Sequence, residues 1–152
     1  WLACFTDGRT FLGVDYDEEK VRVAKRTAPE HPRIQFAVGD ILEREYPACD
    51  TILLLDVLHY WAPAKQQLIL NQARAALRPG GRLVLRDGVR AENAAHRRIH
   101  RWEQFATRMG MNRTHFQTQA ELTAMLQCAG FADLEIKHEA GRDSNAMLVA
   151  RV

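Results

Sequence analysis

The sequence predicts an α/β fold built on a mostly parallel sheet, closed by an antiparallel pair of strands. Strand-like and helix-like stretches alternate along nearly the whole chain. Residues 52–55, "ILLL", form a continuous apolar run without polar alternation, which suits a strand covered on both faces and hence a parallel sheet. Two short stretches near the end flank the turn signal "AGRDSN" and read as a hairpin on the sheet edge.

The elements follow in order. "WLACF" reads as the last turns of a helix, stopped by Asp7 and Gly8. Residues 10–14 supply a strand with Asp15 at its carboxyl end. Asp17 is then a suitable N-cap, and Glu18 and Glu19 place negative charge where the helix dipole favours it. That helix spans 18–27 and is closed by Pro29 and Pro32. "RIQFAVGD" is the next strand, ending at Gly39 and Asp40, and "CDTILLLDVLHYW" carries the buried strand. Pro63 suits a first helical position, with the helix running to about residue 77. "LRPGG" breaks the chain before the strand "RLVLRD", which ends in Asp87. Residues 91–109 repeat Ala95, Ile99, Trp102, Ala106 and Met109 on one helical face. A further helix after "HFQTQAEL" stops at Gly130, and strands are expected at 134–137 and 146–151.

With 152 residues the chain has enough length for one domain with a real core and too little for two. Hydrophobic residues make up 47% and charged residues 26%, ordinary proportions for a globular protein, and the net charge of +2 carries no argument for nucleic acid. Cys4, Cys49 and Cys128 lie far apart without a C-x-x-C pair, which fits reduced structural thiols and a cytoplasmic location better than a zinc site or disulfide frame. No apolar run approaches the roughly 18 residues of a membrane span, and no signal peptide is visible. An opening "WLACFTDG" is expected to follow residues lost from the natural start.

An acidic residue at the end of a second strand commonly holds a nucleoside ribose, after a glycine-rich turn about 20 residues upstream. No such turn precedes Asp15 here. Taken together, "GVDYDEEKVRVAK", "FAVGDI", "CDTILLLDVLHYW", "LRPGGRLVLRD" and "AELTAMLQCAGFADLEI" resemble the class I S-adenosylmethionine-dependent methyltransferases in order and spacing, over nearly the whole chain. The resemblance implies a Rossmann-like, doubly wound sheet with its first strand and glycine loop missing from this chain. That strand would lie between those ending at Asp15 and Asp56. Residues 1–152 are then one N-terminally truncated methyltransferase domain, with 88–116 as a substrate lid insertion.

The same resemblance assigns residues. The Asp15 carboxylate accepts from the ribose hydroxyls, and Tyr16 lays its ring on the adenine. Asp40 receives the adenine amino group while Ile41 packs on the ring. Leu55 and Asp56 lie beside the methionine moiety, and His59, Tyr60 and Trp61 line the route to the substrate. Plain alternatives exist for each: a solvated turn aspartate at 15, packing at a strand end for Tyr16, a cap at Asp40 or Asp56, a packed histidine at 59. Methyl transfer to a hydroxyl gains from a base, and His59 is the candidate, an imidazole being a side chain suited to that role. The "NPPY"-type signature of nucleic-acid amino-methylating enzymes is replaced by "LDVLHY".

The segment after Asp87 is basic. Arg90, Arg97 and Arg101 are candidates for an acidic or carrier-bound substrate, against the alternative of a solvated helix face. His96, His100 and His115 lack the pattern of a metal site, so no metal is expected. The Y-x-x-x-K of "YDEEK" directly follows the second strand and is a chance match to short-chain dehydrogenases. The expectation is therefore an enzyme transferring a methyl group from S-adenosylmethionine, leaving S-adenosylhomocysteine, to a small molecule or acyl-type metabolite, more readily at oxygen. It needs neither nucleic acid nor membrane. Two alternatives stay open: an NAD(P)-dependent oxidoreductase, which Asp15 would serve equally well, and a non-catalytic cofactor-binding or interaction module of the same fold.

Overall fold

The computed structural model describes residues 8–28, 31–90, 114–138 and 145–152. The expected "WLACF" helix end, the helix at 91–109 and the tip of the last hairpin lie outside these residues. The chain divides into two compact units, Trp1–Glu45 and Tyr46–Val152.

The first unit is a β-α-β crossover. Strand β1 (Phe11–Asp15) and strand β2 (Ile34–Val38) pair in parallel, Phe11 opposite Ile34 and Asp15 opposite Val38. Helix α1 (Glu18–Thr27) connects them. The Asp17 side chain accepts from the Glu19 and Lys20 N–H groups, at 2.9 and 3.2 Å, and so satisfies two of the donors that a helix start leaves unpaired. Charge follows the dipole, with Glu18 and Glu19 in the first turn and Lys25 and Arg26 in the last. Val21 faces inward. Gly13 matters sterically: a Cβ there would stand 2.7 Å from the Phe36 ring on the paired strand.

The second unit is a four-stranded sheet of β3 (Cys49–Leu55), β4 (Leu77–Gly88), β5 (Ala132–His138) and β6 (Asn145–Arg151), in the order β3-β4-β6-β5. The β3/β4 pair is parallel, and β4/β6 and β5/β6 are antiparallel, so the last two strands pair at the edge as expected. Helices α2 (Pro63–Ala76) and α3 (Gln119–Cys128) belong to the same unit. Register lines up Leu54, Leu85 and Leu148 across the sheet, and Leu83 with Ala150. These residues are buried, as are Ile69, Leu70 and Ala73 of α2 and Leu122 and Leu126 of α3. On the other face Leu53 and Leu55 are exposed, so among the described residues β3 is not covered on both faces as its continuous apolar run implied. Burial pushes the Cys49 thiol above its ordinary range.

One expectation is corrected. "LRPGG" does not separate a helix from a strand: α2 ends at Ala76, Leu77 is already extended, and β4 runs through the proline and both glycines. A register shift between Cys49 and Thr51 absorbs the extra residues, with Gly80 at φ +76°. A side chain at Gly81 would meet the Arg78 carbonyl at 2.8 Å. The glycines thus permit an irregular ladder where a break was expected.

Candidate active site

Alternation along β4 buries Leu83 and Leu85, and Asp87 stands on that same face, with Val89 buried just beyond the strand end. A carboxylate in this position needs compensating donors. It has them. The Oδ2 atom accepts from the Leu58 N–H at 2.6 Å and from the His59 N–H at 3.3 Å. The Oδ1 atom accepts from the Gly88 N–H at 2.7 Å and meets His59 Nδ1. The 3-10 turn Leu58–Tyr60 has no side-chain cap of its own, so Asp87 supplies the acceptor for its first N–H groups from a neighbouring strand.

The turn presents His59 with Nδ1 committed to the carboxylate. In the neutral ring Nδ1 then carries the proton and Nε2 keeps its lone pair. The imidazole stacks on Phe116, with ring centroids 5.0 Å apart and planes at 17°, and lies 4.1 Å from the tilted Tyr60 ring. Gly88 makes room for this arrangement, because a Cβ there would fall 2.6 Å from Phe116 Cε1. The His115 N–H donates to the His59 carbonyl at 2.6 Å. An imidazole, a carboxylate bonded to it and two aromatic rings are thereby brought together from three separate stretches of sequence.

Asp87 was absent from the sequence-based site. A signal for it existed in "RLVLRDGV", where the carboxylate falls in the same alternation phase as the two buried leucines. The other residues assigned in the second unit are partly committed. Asp56 adopts φ +56°, pairs with Arg86 at 2.9 Å and donates its N–H to the Arg86 carbonyl. Leu55 and Tyr60 are exposed, and Trp61 carries the Lys65 ammonium 5.0 Å from its ring. Arg90 faces Glu121 at 3.3 Å. Arg97 and Arg101 lie outside the described residues. Among the described residues no group of three ligating side chains could hold a metal ion.

In the first unit, Asp15 stands where β1 ends. One of its carboxylate oxygens accepts from the Asp17 N–H at 2.9 Å, and the other lies 4.0 Å from Lys20 Nζ. Its carbonyl accepts from the Gly39 N–H, which ties the two strand ends together. The carboxylate is 39% exposed, so it keeps acceptor capacity for a vicinal diol. The Tyr16 ring is exposed, with Lys20 Nζ 5.8 Å from its centroid. Asp40 opens a turn: its side chain accepts from the Leu42 N–H at 2.8 Å and its carbonyl from the Glu43 and Arg44 N–H groups. Ile41 is half-buried beside it. These residues fit a nucleoside, since they offer accessible acceptors and an apolar neighbour at adjacent strand ends.

Comparisons with known proteins bear on the family and the fold. A family model described as an O-methyltransferase domain matches residues 13–132. Acetylserotonin O-methyltransferase of Mus musculus is 33% identical over 120 residues, covering 79% of this chain and 30% of that protein. The crystal structure of human N-acetylserotonin methyltransferase in complex with S-adenosylmethionine superposes with a TM-score of 0.72 at 23% identity, over 97% of this chain and 42% of that one. An O-methyltransferase family 2 protein from Planctomyces limnophilus, in complex with apigenin, gives 0.74 at 19% identity, over 94% and 43%. The chain spans about a third of the length of the curated relatives it matches. With the expected α/β fold in place and the family model covering most of its length, the chain belongs to the O-methyltransferase domain family, a class I methyltransferase family whose methyl donor is S-adenosylmethionine.

Proposed function

We propose that this protein methylates a hydroxyl group of a small molecule, with His59 as the general base and Asp87 as the group that orients it. The observation carrying this reading is the buried Asp87 carboxylate on His59 Nδ1, which leaves Nε2 free to accept a proton. When bound, S-adenosylmethionine supplies a methyl group on a positively charged sulfur that is already a good leaving group. His59 Nε2 would take the proton of the substrate hydroxyl, leaving its oxygen to accept the methyl group that the donor would supply. Asp87 then faces the resulting imidazolium as a fixed negative charge. In the first unit Asp15 holds the ribose hydroxyls, Asp40 and Ile41 take the adenine edge and face, and Tyr16 covers the ring. Leu55 and Asp56 serve the methionine end.

The acceptor class follows from the walls around the base. Tyr60 and Phe116 favour a flat aromatic alcohol, in line with a relative named for acetylserotonin and a structural neighbour crystallised with apigenin. Arg90 is engaged by Glu121, which leaves Arg97 and Arg101 as the cations for an acidic or carrier-bound acceptor. A cytoplasmic setting is the reading that the free thiols of Cys49 and Cys128 support. No helix among the described residues is long and apolar enough to cross a membrane.

The test is methyl transfer from S-adenosylmethionine to a panel of aromatic alcohols, N-acetylserotonin and apigenin included. His59→Ala is expected to lower kcat/KM by on the order of 10²–10⁴-fold, the usual contribution of a positioned base, with S-adenosylhomocysteine binding retained. An unchanged rate in the variant would remove His59 from the chemistry.

A further inference from the structure

We infer that Gln66, in the first turns of α2, is a positioning residue for His59, a role that rests on the reading of His59 as the base. Gln66 is fully buried. Ile69 and Leu70, three and four residues on along the same helix, are also fully buried, so a leucine or methionine at this position would bury without any polar cost. The amide instead donates twice through Nε2, to the Trp61 carbonyl at 2.8 Å and to the His115 carbonyl at 2.8 Å. Its Oε1 has no partner among the described residues, so the side chain's polar bonding consists of those two donations.

Both acceptors belong to segments that fix the imidazole. Trp61 closes the 3-10 turn bearing His59, its N–H donating to the Leu58 carbonyl at 2.9 Å. His115 reaches the His59 carbonyl through its own N–H, and the next residue, Phe116, stacks on the His59 ring. One amide nitrogen therefore joins the turn that carries the base to the segment that carries its stacking partner. The two hydrogen bonds set the spacing in which the ring lies against Phe116 while Nδ1 meets Asp87. Among the described residues, the turn and residues 115–116 are otherwise joined by the His115–His59 backbone bond and by ring stacking.

The experiment is a long-range 1H–15N correlation spectrum of His59 in the full-length protein, which distinguishes the two ring tautomers, together with methyl-transfer kinetics. Wild type is expected to show the Nδ1–H tautomer. Gln66→Met, matched in volume, is expected to give a tautomer mixture, a weaker ring-current shift from Phe116 and a roughly tenfold lower kcat, with KM and S-adenosylhomocysteine affinity little changed. Gln66→Glu serves if the methionine variant does not fold: protonated, it donates one bond instead of two and should fall between the others. A role in packing alone would lower the melting temperature and leave the tautomer and kcat where they are, which overturns the inference. His59→Asn separates the two readings. If it is inactive while the Gln66 variants match wild type, only the role of Gln66 fails; if it is active, the base itself is misassigned.

Discussion

Asp15 and Asp87 both stand at the carboxyl end of a parallel strand, one in each unit, yet their surroundings fit them for opposite tasks. Asp15 is 39% exposed and accepts one backbone N–H, with a lysine at 4.0 Å beyond it. Asp87 is 1% exposed and accepts from three backbone N–H groups and an imidazole. A carboxylate with unused acceptor capacity at the surface can serve a ligand. One saturated by protein donors holds the protein's own groups in place. Position in the fold is shared; the number of donors already in place decides which role follows.

The largest expected effect comes from breaking the saturated site. Asp87→Asn turns an amide NH2 toward donors that need an acceptor, and the loss of a buried partner costs about 3 kcal/mol. Asp15→Asn, at an exposed position, should stay within about 0.5 kcal/mol of wild type. Urea denaturation of the two variants side by side measures the contrast, and equal losses would erase it.

Two glycines sharpen the same comparison at a smaller scale. Gly13 and Gly88 each make room for a phenylalanine, with a Cβ falling 2.7 Å from Phe36 or 2.6 Å from Phe116. Alanine at either position is expected to cost about 1–3 kcal/mol through overpacking. Only Gly88→Ala displaces the ring stacked on His59, so it alone should also lower turnover. Melting curves with a parallel methyl-transfer assay separate the two outcomes.

The smallest effect is a pH dependence. Glu121 completes a capping box with Thr118, and its carboxyl lies below the ordinary value of 4.5, first through the Thr118 N–H and further through the Thr118 side chain and Arg90. A lowered folded-state value means that the stabilisation is fully present above the unfolded value and is lost as pH falls through the folded one. Glu121→Gln keeps a capping side chain and removes the charge. It is expected to cost about 0.5 kcal/mol at neutral pH and to flatten the acid limb of the stability profile below about pH 4.5. Denaturant midpoints from pH 3 to 7 check this.

Much of the fold was legible because local chemistry and tertiary structure agree. Asp17 caps α1 as its spacing implies, the "ILLL" run lies within β3, and the terminal strands pair in antiparallel fashion. Strand β1 is displaced by one residue from the expected 10–14, since Asp15 itself pairs with Val38. "LRPGG" misled because proline and glycine mark departures from regular geometry without saying whether the chain turns or a ladder shifts. In the site, His59 was visible as a residue type suited to the chemistry. Its partner was not, because Asp87 lies 28 residues away and the contact depends on β4 packing beside the 3-10 turn. Gln66 was invisible for the same reason, its partners being carbonyls that sequence does not mark.

The most direct test of this division of labour is calorimetric titration of S-adenosylhomocysteine into the full-length protein, with Asp15→Ala and His59→Ala alongside. Loss of a charge-assisted acceptor should weaken binding by roughly 10–100-fold in Asp15→Ala, while His59→Ala stays within about twofold of wild type. Undiminished affinity in Asp15→Ala, or an equal loss in both variants, would contradict the separation of a cofactor-holding carboxylate from a base-holding one.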